Sequence, residues 1–118
     1  MNKLFKFKGK RLDNGEWMVG DLLHLVDGVY ISNDNGCNMA QVDPDTVGMN
    51  TGLKDRKGKE VYEGDVIETY SRSYIVTWFK RSSAFLLKED GTDNLNAFTP
   101  SLVLQSSDAV VTGNIHDR

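Results

Sequence analysis

Turn-forming residues interrupt this chain every 8–12 residues or so, a spacing that favours a small β barrel or roll over most other folds. Between the turns the side chains alternate apolar and polar, or form short apolar runs, and no window holds the roughly 3.6-residue apolar period of an amphipathic helix. The reading is therefore all-β or nearly so. Leu4–Lys8 alternates apolar and basic residues as a half-buried strand does, and Asp13-Asn14-Gly15 is a hairpin signal leading into a return strand over Glu16–Leu25. Gly20 within that strand predicts a bulge or a close backbone approach. Asp27-Gly28 turns the chain into Val29–Ile31, which completes a three-stranded meander.

Ser32–Asn38 consists almost wholly of turn formers and reads as a loop. Met39–Val42 reads as a short strand stopped at Asp43-Pro44, because the residue before proline is pushed out of the helical region. Thr46–Thr51 is again extended. Val66–Tyr70, Tyr74–Phe79, Ala84–Lys88 and Ala109–Ile115 supply four more strands, and Thr99-Pro100-Ser101 can start one helical turn. The expected organisation is an N-terminal β-meander over residues 1–52 and a C-terminal SH3-like small barrel over residues 53–118, together forming one compact body.

The segment Val47–Thr69 is dominated by residues chosen for backbone shape. Asp55-Arg56-Lys57-Gly58 suits a turn closed by a left-handed glycine. Glu63-Gly64-Asp65 predicts a structural corner in which the Asp65 carboxylate accepts backbone N–H groups while Gly64 lets the chain reverse.

Three pieces, FKFKGKRLDNGEWMVGDL, VDPDTVGMNTGLKDRKGKEVYEGDVI and VVTGNIHD, occur in an order and at spacings that resemble the YopX family of phage and prophage proteins. The resemblance covers both ends and the middle of the chain but not residues 71–108. It implies a small β-rich protein encoded by a phage or prophage, acting in the cytoplasm of a bacterial host. It carries over no catalytic residue and no cofactor.

The residues themselves offer little catalytic chemistry. His24 and His116 have no Cys, His or Glu at a metal-ligand spacing, and the single cysteine, Cys37, has no activating base nearby in sequence. Asp43 and Asp45 flank Pro44 as turn chemistry does. Trp17, Tyr30, Tyr62, Trp78 and Phe79 are expected to fill core volume, the alternative being stacking platforms for bases. No run is apolar enough to span a membrane.

Charge is segregated along the chain. Lys3, Lys6, Lys8, Lys10 and Arg11 crowd the start, and no Lys or Arg occurs from Leu12 to Leu53. Lys54, Arg56, Lys57 and Lys59 then cluster in the connector. The favoured function is a non-enzymatic, cofactor-free binding module for a host or phage protein. One alternative is nucleic-acid binding through Lys54, Arg56, Lys57 and Lys59, which the net charge of −3 disfavours. Another is small-ligand binding by a pocket formed from Ser32–Gln41. Unprotected strand edges also predict a homo-oligomer.

Overall fold

The computed structural model describes residues 6–33, 38–70, 72–79, 81, 83–91, 100–104 and 109–118. It is an all-β, antiparallel structure whose one α-helical segment among the described residues is the five-residue α1 (Pro100–Leu104). The chain divides into two compact units, Met1–Asn50 and Thr51–Arg118.

The first unit contains β1 (Phe7–Lys10), β2 (Trp17–Leu25), β3 (Gly28–Asn33), β4 (Asn38–Val42) and the start of β5 (Gly48–Lys54). β2 serves two partners in succession: Trp17–Gly20 pairs with β1, and Asp21–Leu25 pairs with β3. The changeover falls at Gly20, where an added Cβ would stand 2.1 Å from the Ser32 carbonyl oxygen, so the expected close approach is present. β4 pairs with β3 and then returns to the far end of β1. There Leu12 N–H donates to the Gln41 carbonyl (3.0 Å), Asp43 N–H donates to the Lys10 carbonyl (2.8 Å), and Arg11 bridges Val42. The expected meander is thus rolled back on itself. Met18, Ile31 and Val42 fill the roll, with Phe7, Leu22 and Val29 packed around them. Burying each such side chain contributes about 1.5–3 kcal/mol.

In the second unit β5 ends beside β6 (Glu60–Tyr62). A four-stranded sheet follows, in the order β10 (Val110–Asn114), β7 (Asp65–Glu68), β8 (Ser73–Phe79), β9 (Ala84–Glu89). Val61, Ile67, Val76, Leu87 and Ala109 form its solvent-free centre. These pairings run in open order among the described residues and do not by themselves draw the ring of an SH3-like barrel.

Some boundaries differ from the sequence expectation. Asn33 and Asn38 are the end pair of β3 and β4 rather than loop residues, because ladder pairing outweighs their turn preference. Thr46 belongs to a 3₁₀ turn over Pro44–Thr46, capped by Asp43, and not to the following strand. Leu4, Phe5, Cys37 and Thr99 lie outside the described residues.

Candidate functional site

The basic connector is built around a buried acid. Asp55 is 6% exposed, and its carboxylate accepts three backbone N–H groups: Lys57 and Lys59 on Oδ1, each at 2.9 Å, and Val111 on Oδ2 at 3.0 Å. Burial pushes this carboxyl's pKa up more than any other single influence. The three N–H donors and the Lys59 charge together outweigh it and hold the group below the ordinary aspartate value. Gly58 closes the turn at φ +83°, as its sequence predicts, donating its N–H to the Asp55 carbonyl. Lys54, Arg56, Lys57 and Lys59 all end exposed on this one turn. Among the described residues none of the four forms an ion pair.

At the Glu63-Gly64-Asp65 corner the Asp65 carboxylate takes one backbone N–H and one side-chain amide. Asp65 is 1% exposed, and its Oδ2 accepts the Tyr62 N–H at 2.8 Å while its Oδ1 accepts the Asn114 amide at 2.9 Å. Gly64 has φ +90°, donates to the Val76 carbonyl and accepts from Ile115 N–H. Both oxygens of this carboxylate hold fixed donors, which is architecture rather than catalytic chemistry.

In the first unit two features stand out. The β2–β3 hairpin carries Val26 fully exposed at its tip and Leu25 47% exposed beside it. That tip is braced: Tyr30 Oη donates to Asp27 Oδ2 at 3.0 Å, and Gln41 Nε2 donates to the Asp27 carbonyl at 3.2 Å. The sequence signal was available in two aliphatic residues placed directly before Asp27-Gly28, where turns ordinarily carry polar ones. The second feature is a cavity of about 520 Å³ beside β2 and β4, with Trp17, Asn33, Asn38 and Met39 on its wall. It takes in Asn33, Asn38, Met39 and Ala40 from the Ser32–Gln41 stretch, together with β2 residues that the sequence did not point to.

The other sequence candidates disperse. His24 is exposed on β2 opposite Val29, and His116 sits in a C-terminal 3₁₀ turn, its backbone N–H held by Asn114 Oδ1 at 2.9 Å. Asp43 accepts the Asp45 N–H at 3.0 Å and so caps its turn. Among the described residues no three His, Cys, Asp or Glu side chains are grouped to hold a metal ion, and no helix is long and apolar enough to cross a membrane. Of the five aromatics assigned to the core, only Tyr62 is buried; Trp17, Tyr30, Trp78 and Phe79 are half-buried. Trp78 packs edge-on against Phe85 at 5.0 Å across the β8–β9 pair, while Trp17 lies under two lysine ammonium groups. Trp17, Tyr30 and Phe79 lie on the strand faces opposite the buried Met18, Ile31 and Val76, whereas Trp78 shares the face of Tyr74 and Val76 near the end of β8.

Compared with known proteins, residues 2–118 match the family model described as YopX protein. No curated protein matches the chain.

Proposed function

The chain belongs to the YopX family, and we propose that it is a non-catalytic binding module that docks on another protein inside a bacterial cell, as a phage-encoded accessory factor. The observation that carries this reading is the braced apolar tip of the β2–β3 hairpin. A fully exposed Val26 beside a half-exposed Leu25 gains nothing from water, and the hydrogen bonds from Tyr30 and Gln41 to Asp27 brace the turn that carries them before any partner arrives. Rigid apolar anchors of this kind carry binding energy out of proportion to their area, because little side-chain freedom is lost on docking. The partner would be a host or phage protein with an apolar recess rimmed by polar groups.

Affinity capture from phage-infected cells with the native chain and with Val26→Lys tests it. One protein enriched by the native chain and lost from the variant supports docking through the tip; equal recovery by both sinks it.

A second reading, nucleic-acid binding, is favoured by one observation: four exposed cations on a single fixed turn. If it holds, affinity for mixed single- and double-stranded nucleic acid falls steeply with salt and is lost in a Lys54, Arg56, Lys57 and Lys59 to Gln variant. No binding at low salt removes it.

A further inference from the structure

The roll of the first unit closes only partway along β4. Leu12 N–H donates to the Gln41 carbonyl and Asp43 N–H to the Lys10 carbonyl, so Gln41 and Asp43 turn their main-chain groups away from β3 and toward β1. Main-chain groups alternate in direction along a strand, so Met39 N–H and C=O face the same way. The β1–β2 ribbon stops short of them. Arg11 N–H donates to the Glu16 carbonyl and Gly15 N–H to the Arg11 carbonyl, both at 2.9 Å, which folds the chain back into β2 first. Among the described residues Met39 has no main-chain bond on that side, and it is 52% exposed. An open strand edge is a template for pairing with another chain.

The cavity of about 520 Å³ adjoins this edge, bordered by Met39 and Ala40 of β4, by Met18 of β2 and by Arg11 and Glu16 at the foot of the β1–β2 hairpin. An antiparallel strand laid against Met39, the direction of both present neighbours of β4, exchanges two hydrogen bonds with it and enters the cavity. Side chains alternate, so the residue opposite Met39 lies outside beside its thioether, and the next residue points inward on the side of Ala40 and Met18. Asn33 adds an acceptor. Among the described residues its Oδ1 is buried with no partner, and its Nδ2 reaches the Val19 carbonyl only at a long 3.4 Å. A turn of this loosely held amide serves an incoming N–H.

Charge narrows the occupant. The Arg11 guanidinium is committed to Asp13 through bonds of 3.0 and 2.7 Å, which leaves Glu16 to set the sign of the cavity wall. No Lys or Arg occurs from Leu12 to Leu53, so this side of the roll favours a basic guest over an acidic one. We propose that β4 takes an extended peptide of a partner protein as an added strand along Met39, with an aliphatic residue opposite Met39 and a Lys or Arg beside it at Glu16. The site lies at the Trp17 end of β2 and the hairpin tip at the Leu25 end, so either assignment can fail without the other.

A random peptide library displayed on yeast is panned on the native chain, and the recovered peptides are synthesised and titrated by calorimetry. The expected result is saturable binding by sequences that share an aliphatic residue next to Lys or Arg. N-methylation of that aliphatic residue removes the N–H that the Met39 carbonyl accepts and raises Kd about fivefold to tenfold, the loss of one hydrogen bond. Methylation of either neighbour does not. Met39→Pro removes the donor on the protein side with a similar loss, and proline suits an edge position whose N–H faces outward. If that variant does not fold, the methylated peptides carry the test on the native chain. Glu16→Lys weakens the basic peptides about fivefold. By hydrogen exchange, Met39 N–H is open in the free chain and protected in the complex. No saturable binder, or binding indifferent to methylation at every position or to Glu16→Lys, overturns the proposal. So does binding lost in Val26→Lys but kept in Met39→Pro, which assigns the peptide to the hairpin tip. Slow exchange of Met39 N–H in the free chain at micromolar concentration also overturns it, by putting a second copy on that edge.

Discussion

On the Asp55 carboxylate, desolvation works against the charge and three backbone N–H donors work for it. Asp55→Asn keeps the shape but turns an amide N–H₂ toward the Val111 N–H or toward the Lys57 and Lys59 pair. At least one N–H donor then loses its acceptor, and the variant is expected to lose about 1–3 kcal/mol of stability by urea unfolding. The pH dependence has a definite sign. A carboxyl whose folded pKa lies below its unfolded value of about 3.8 stabilises the fold above that value and loses the contribution as pH falls through the folded pKa. The stability gap between the native chain and Asp55→Asn is therefore expected to be constant near neutrality and to close below about pH 4. Gly64 gives a second residue-scale prediction. At φ +90°, with a Cβ position 3.2 Å from Asn114 Nδ2, Gly64→Val is expected to cost about 1–3 kcal/mol. An unchanged melting temperature would show that the corner tolerates a side chain.

Among the elements, β2 is the one that shapes the first unit, since it changes partner at Gly20. Gly20→Ala places a methyl group against the Ser32 carbonyl and is expected to cost about 1–3 kcal/mol. Gly113→Ala meets nothing within 4 Å and is expected to cost under about 0.5 kcal/mol. Equal melting shifts in the two variants would refute the close-packing account. Local turn chemistry made much of this legible in sequence. Asp13-Asn14-Gly15 and Asp27-Gly28 mark their hairpins, Gly20 marks the approach, and the Asp65 carboxylate caps the corner. What sequence could not show were contacts between distant residues. The return of β4 to Lys10–Leu12, the Val111 donor to Asp55 and the Asn114 donor to Asp65 have no local signature. The cavity was half legible for the same reason: Asn33, Asn38 and Met39 belong to a suspicious stretch, whereas Trp17 joins them only through the roll.

For the whole molecule, the roll covers part of an edge that an open meander would leave bare. Hydrogen bonds from Leu12 and Asp43 engage β4 at its Gln41–Asp43 end. Among the described residues β9 still has a strand partner on one side only. An edge of that kind invites pairing with another chain, and we predict a closed homo-oligomer. Light scattering at micromolar concentration checks this, and a mass near 13.2 kDa at low and moderate salt rejects it. The bond between Asp55 and Val111 spans 56 residues, and it has a consequence for the order of events on the ribosome. At about 5–20 residues per second, Val111 is made roughly 3–11 seconds after Asp55. Throughout that interval the four connector cations lack their anchoring strand, while the first unit already holds every side chain of its own core. The connector therefore takes its final form only once β10 has been made, and a nascent chain stalled before β10 would present those cations on a turn not yet tied to that strand.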